Sequence, residues 1–183
     1  MKIKLGISNR HIHLTKKDFK IIFGSKTKLE KKRNLIQPGE FASTLKVNIK
    51  NNNKIIEKVR VVGPFRSYTQ VELLRSDANY LGINPPVRSS GNLKDAEAIT
   101  IIGPNGQITK KCAIISERHI HLGLKELPSI RVDEIKALTK DNQIIDNIKI
   151  KRDKHYIKEL HLDQDDAKIY NLTNGEELEI IPQ

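Results

Sequence analysis

Two heptapeptides concentrate the residues able to do chemistry. Ser8-Asn9-Arg10-His11-Ile12-His13-Leu14 and Ser116-Glu117-Arg118-His119-Ile120-His121-Leu122 agree at six of seven positions and hold four of the chain's six histidines. Along an extended strand, side chains two apart share a face. Each His-x-His therefore aims two imidazoles at one place, as a metal site with nitrogen ligands requires. A pair of polar strand ends would explain one copy, but not two near-identical ones.

A third ligand type follows each copy. Glu72 stands five residues before Asp77-Ala78, and His161 stands five residues before Asp166-Ala167. Read half by half, the repeat predicts one set of three histidines and one of two histidines with a glutamate. Three protein ligands leave a position open, the mark of a catalytic rather than a structural ion. Imidazole with one carboxylate suits zinc. His155 sits in a lysine-rich loop and takes no role.

The elements that must carry these residues are mostly short strands. Ile3, Leu5 and Ile7 alternate with polar or small residues, and the same parity runs on to His11 and His13, which puts both imidazoles on the interior side if the strand stays extended. Thr15 to Asp18 reads as a helix cap, Phe19, Ile22 and Phe23 as its apolar stripe, and Gly24 as its end. Strands are expected around Leu45 to Ile49, Ile55 to Val62, Ala98 to Ile102, Ile108 onward, Ile144 to Ile150 and Leu178 to Ile181, with turns at Asn51-Asn52-Asn53, Gly103 to Gly106 and Asn174-Gly175. Ser76 is expected to cap a helix ending at Gly82, a third short helix spans Asp165 to Asn171, and Pro128 stops any long helix. Residues 84–91 read as irregular. The sum is a mainly β protein with barrel architecture, short accessory helices and an internal pseudo-repeat.

Composition narrows the class. Aromatics make up 4% and Trp is absent, so Ile, Leu and Val must fill the interior. No apolar run reaches the ~18 residues of a membrane span. The start of the chain leaves no room for a signal peptide, and the single Cys112, read as a small buried hydrophobe, excludes an intrachain disulfide framework. The net charge of +11 draws anions, but the positives are scattered. Their densest cluster, Lys26 to Arg33, lacks an aromatic for base stacking and reads as a solvated loop or helix flank, so nucleic acid is not an expected partner.

Beyond the two heptapeptides, the stretches Gly-Pro-Phe-Arg-Ser-Tyr-Thr-Gln-Val-Glu at 63–72, Pro-Pro-Val-Arg-Ser-Ser-Gly at 85–91 and Glu-Leu-His-Leu-Asp at 159–163, with Asp-Asp-Ala at 165–167, complete a recognisable set. In this set the chain resembles the phosphate propanoyltransferase family, the phosphotransacylases associated with propanediol utilisation. The resemblance implies a pair of antiparallel six-stranded barrels, one from residues 1–42 plus 113–183 and one from 43–112, with an active site of two zinc ions between them. It also implies a crossed ligand arrangement: Glu72, His119 and His121 on one zinc, and His11, His13 and His161 on the other. The activity implied is reversible transfer of an acetyl or propanoyl group between coenzyme A and inorganic phosphate. Arg66 matches the family's phosphate-binding arginine, and Ser90 a serine near the same site. A homodimer is expected.

The chemistry needs a thiolate held, a carbonyl polarised and a phosphate gripped, and no residue reads as a covalent nucleophile, so direct attack without an acyl-enzyme is expected. Arg10 and Arg118 should point away from the imidazoles and act structurally. The stretch 123–142 lacks the family's usual helix and Gly-containing turn. No amphipathic extension precedes the first strand, which points to a cytoplasmic enzyme making or using acetyl phosphate rather than a microcompartment member. The preference between acyl groups differing by one methylene stays open. Two further classes remain at this point: a binuclear hydrolase of phosphate esters or acyl phosphates using the same ligands, and a non-enzymatic basic barrel binding nucleic acid.

Overall fold

The computed structural model describes residues 1–123 and 132–181, so Pro128 lies outside the described residues. Through the first half run β1 (Lys2–Ser8), β2 (His11–His13), α1 (Lys16–Phe23), β3 (Lys31–Asn34), β4 (Phe41–Asn51), β5 (Lys54–Gly63), β6 (Gln70–Leu73), α2 (Arg75–Leu81) and β7 (Val87–Arg88). Then come β8 (Glu97–Ile102), β9 (Gln107–Ser116), β10 (His119–Leu122), β11 (Glu134–Leu138), β12 (Ile144–Arg152), β13 (Glu159–Asp163), α3 (Gln164–Ile169) and β14 (Glu177–Ile181). The chain divides into two compact units, Met1–Asn9 with Glu117–Gln183, and Arg10–Ser116.

The first unit is a closed barrel in the order β1-β13-β10-β12-β11-β14. Its interior is filled by Ile3, Leu5, Ile120, Leu122, Ile135, Ile145, Ile148 and Leu160 among others. The second unit closes in the same way: β4 pairs β5, β5 pairs β2, β2 pairs β6, β6 pairs β9, β9 pairs β8, and β8 returns to β4. Outside that ring, β3 extends from β4 and β7 from β9. Two closed six-stranded rings are therefore present, but the chain divides between them at 9/10 and 116/117 rather than at 42/43 and 112/113, because β2 pairs β5 and β6 in the second ring.

Four of the six pairings in each barrel are antiparallel, and two are parallel. The parallel pairs are β1 with β13 and β10 with β12 in one unit, and β2 with β5 and β6 with β9 in the other. A parallel neighbour needs a crossover rather than a hairpin. The His-x-His strands β2 and β10 meet their parallel partners in that way. The rings match in pairing order and direction: β2 corresponds to β10, β5 to β12, β6 to β13, β9 to β1, β4 to β11 and β8 to β14.

Local chemistry sets the helices. Thr15 caps α1, its hydroxyl accepting from the Asp18 N–H at 3.0 Å, and the N–H of Gly24 donates to the Lys20 carbonyl at 2.9 Å. The expected cap of α2 at Ser76 is not the one used. The cap is Leu74, two residues earlier, and the Asp77 carboxylate reaches back to accept from the Leu74 N–H at 3.1 Å. The basic stretch is not all loop either. Lys31–Asn34 forms an exposed edge strand, where charged side chains blunt further pairing. Residues 84–91, expected to be irregular, contribute the short β7. In 123–142, the described part carries β11 and a turn at Asn142. Cys112 is buried as expected, and burial pushes its thiol up to about 12.

Candidate functional site

Each His-x-His lies on a three- or four-residue strand whose middle isoleucine enters the barrel interior. Ile12 and Ile120 are both fully buried in their cores. Strand alternation then places the histidines on the opposite face of β2 and β10. The expectation that the imidazoles share the interior side with Ile3 and Leu5 is thus corrected. The chain breaks its extended course at Asn9 and Arg10, β1 and β2 belong to different units, and Ile12 takes the core position.

Pairing register brings the third ligand to each pair. His11 sits directly across from Glu72 on β6, and His119 directly across from His161 on β13. One ligand atom from each of His11, His13 and Glu72 falls within 4.8 Å of the others, and the same holds for His119, His121 and His161. These are the sets read half by half. The crossed arrangement implied by the family resemblance is not what the structure shows, because antiparallel pairing inside each barrel already supplies the third ligand. In the first cluster Nε2 of His11 lies 3.6 Å from one Glu72 oxygen, and Nε2 of His13 lies 3.8 Å from the other. In the second, the rings of His119 and His161 stack with centroids 4.9 Å apart.

The electrostatics suit a cation. Burial, reinforced by the neighbouring His11, pushes His13 down to about 3. Burial with His161 nearby does the same to His121, again to about 3, and burial holds His119 well below its ordinary value. These imidazoles are neutral at pH 7 and keep a lone pair for a metal. Nδ1 of His119 lies 2.8 Å from the Glu117 carbonyl, which can only accept, so the proton sits there and Nε2 carries the lone pair. Among the described residues, Nδ1 of His121 is buried without a hydrogen-bond partner. Neutral imidazoles, a glutamate and an orphaned ring nitrogen are what a divalent ion would satisfy.

The flanking arginines anchor the strands. Arg10 Nε donates to Asp77 at 2.7 Å. Arg118 grips both oxygens of Asp166 at 2.7 and 2.8 Å, which raises its guanidinium pKa above the ordinary value. Both aspartates open the Asp-Ala helices that follow the third ligands, so the echo seen in sequence is a tether between each His-x-His strand and the helix after its partner. Arg66 is fixed by the bond from its N–H to the Leu14 carbonyl at 3.0 Å and by an ion pair of Nη2 with Glu40. Its Nε is buried without a partner among the described residues, and its charge is one of the influences lowering His13. Ser90 Oγ lies 2.8 Å from Nε2 of Gln70, which also donates to Glu72 at 2.7 Å. Gln70, Glu40 and the buried Glu159 were not singled out by sequence reasoning. Aligning the two Asp-Ala pairs would have set Gln70 against Glu159, seven residues before Asp77 and Asp166 respectively.

Two six-stranded barrels, each with a cluster of three residues that could hold a metal ion, place the chain among mainly β proteins. The family model described as phosphate propanoyltransferase matches residues 4–173. The phosphate propanoyltransferase of Thermotoga maritima is 39% identical over 98% of this chain and 89% of its own length. Those of Rhodopseudomonas palustris and Salmonella typhimurium are each 36% identical, over 98% and 94% of this chain and 82% and 85% of their own lengths. The chain belongs to the phosphate propanoyltransferase family, a family of acyltransferase enzymes. No helix among the described residues is long and apolar enough to cross a membrane.

Proposed function

We propose that this enzyme transfers a short acyl group, acetyl or propanoyl, reversibly between coenzyme A and inorganic phosphate, with one zinc ion held by His11, His13 and Glu72 and another by His119, His121 and His161. The observation that carries the reading is the pair of register-matched clusters, three histidines in one and two histidines with a glutamate in the other, in a chain of this family. When bound, zinc supplies Lewis acidity toward a carbonyl oxygen and stabilises a thiolate.

The chain's own residues do the rest. Arg66 presents a buried Nε beside the His13 cluster, and its guanidinium grips phosphate with a planar fork. Glu40 holds the outer nitrogen and fixes the plane of that fork. Ser90 accepts from Gln70, so its own hydrogen is left to donate to an anion. With no side chain of the site suited to carry the acyl group, phosphate or thiolate attacks the acyl carbon directly.

The test incubates acetyl- or propanoyl-coenzyme A with phosphate and fully metallated protein, and follows free thiol with and without a chelator. Phosphate-dependent thiol release that the chelator abolishes supports the reading. No such release from the metallated protein overturns it.

A further inference from the structure

The two clusters share more than their ligands. In the register of β2 with β6, His13 sits opposite Gln70, as His11 sits opposite Glu72. In the register of β10 with β13, His121 sits opposite Glu159, as His119 sits opposite His161. Each cluster is therefore the corner set of a four-residue rectangle, and Gln70 and Glu159 occupy the same fourth corner. Both are buried polar side chains, at 0% and 3% exposure. Both bond the third ligand two residues along their own strand, Gln70 to Glu72 at 2.7 Å and Glu159 to His161 at 2.7 Å.

The chemical types are matched. Gln70 Oε1 accepts from the backbone N–H of Gly91 at 2.7 Å, which fixes the amide orientation and leaves Nε2 as a two-hydrogen donor. One hydrogen goes to the carboxylate of Glu72 and the other to Ser90. Glu159 is the reverse case. Its carboxylate can only accept, so Nε2 of His161 donates to it at 2.7 Å and the ring's orientation is held. Space is reserved for it: a Cβ on Gly6, across from His161 on β1, would lie 2.5 Å from a Glu159 oxygen. The equivalent position beside Glu72 on β9 is Ile114, and Gln70 is held instead by the Gly91 N–H.

We infer that Gln70 and Glu159 are a pair of positioning residues, equivalent by the internal repeat, whose hydrogen-bond polarity is complementary to the third ligand of each site. A carboxylate ligand is met by a donor, and an imidazole ligand by an acceptor. Gln70 also sets Ser90 as a donor, so it links the metal cluster to the anion site. The inference rests on the metal reading given above. Partners of this kind shift metal affinity by about 10–100-fold when removed.

The experiment exchanges the two chemistries in the full-length protein. Gln70→Glu, Gln70→Met, Glu159→Gln and Glu159→Leu are compared with wild type. Cobalt(II) affinity is measured by chelator competition, with the visible cobalt band reporting ligand geometry and KM for phosphate reporting Ser90. Far-UV circular dichroism and metal-free melting confirm folding, with Glu159→Ala replacing the leucine variant if that does not fold. Gln70→Glu keeps size but sets carboxylate against carboxylate. It should weaken one of two cobalt ions at least tenfold, shift the band and raise the phosphate KM, as should Gln70→Met. Glu159→Gln keeps an acceptor and should lose less than Glu159→Leu, which should weaken the other ion at least tenfold. A space-filling role predicts that both isosteric exchanges are harmless. Cobalt affinity within twofold of wild type for Gln70→Glu or Glu159→Leu overturns the inference alone. A wild-type chain that takes up no cobalt or zinc overturns it together with the metal reading.

Discussion

His13, His119 and His121 are neutral in the folded chain because burial disfavours their charged form. In the metal-free protein this makes stability depend on pH, and the sign follows from proton counting. Between about pH 3 and 6.5 the unfolded chain protonates His121 and the folded chain does not. The unfolded state then binds more protons, so stability rises with pH through this window and is complete above 6.5. Each such histidine contributes a slope of about 1.4 kcal/mol per pH unit. Urea unfolding of metal-free protein at pH 7.5, 6 and 5 should show the loss, and His121→Asn should remove about one histidine's share. Equal slopes for the two proteins would contradict the burial argument. His13→Ala should remove one ion's worth of metal and most activity. Arg66→Lys keeps the charge but loses the fork, and should raise the KM for phosphate about tenfold at normal metal content. Metal loss in that variant would mean that Arg66 serves the cluster rather than phosphate. The six ligand candidates were legible at this scale because a heptapeptide repeat and a five-residue spacing mark them. Gln70 and Glu159 were not, since their role exists only once register places each across from a histidine.

At the scale of elements, each cluster is two short strands held in register by something stronger than their own few backbone bonds. The Arg118 fork on Asp166 joins the start of β10 to the first turn of α3, with the two side chains 23% and 14% exposed. Removing the arginine strands a half-buried carboxylate, which costs more than the pair itself contributes. Arg118→Met should therefore lower stability by about 1–3 kcal/mol. It should also weaken cobalt binding at the three-histidine site while leaving the other ion in place. Calorimetry with chelator competition checks both; a stability loss with both affinities intact would confine the arginine to packing. Strand alternation, caps and turns were readable from apolar spacing, Thr15 and the Asn-rich turns. The side on which His11 and His13 lie was not, because two residues, Asn9 and Arg10, interrupt a parity that continues unbroken on paper.

At the scale of the molecule, the chain changes unit twice, after Asn9 and after Ser116, each time inside a heptapeptide. The strand before each His-x-His closes one barrel, and the His-x-His itself enters the other. Apolar alternation gives no sign of this exchange, since it says which face of a strand is buried and not beside which strand it lies; only the family resemblance implied one, with its boundaries at 42 and 112 instead of 9 and 116. One consequence concerns folding. Residues 10–116 contain every strand of their ring, with its own core of Ile12, Val61, Val71 and Ile101. Residues 117–183 lack β1, which lies between β13 and β14 and contributes the buried Ile3 and Leu5. Without it the ring opens, two strand edges lose their partner, and the interior loses two large side chains, each about 2–5 kcal/mol if deleted even to alanine. A fragment of residues 10–116 should therefore unfold cooperatively on its own. A fragment of residues 117–183 should not fold until a peptide of residues 1–9 is added or fused. Circular dichroism melts of the two fragments, with and without that peptide, decide it, and a cooperative transition from 117–183 alone would show that the five remaining strands close a barrel unaided.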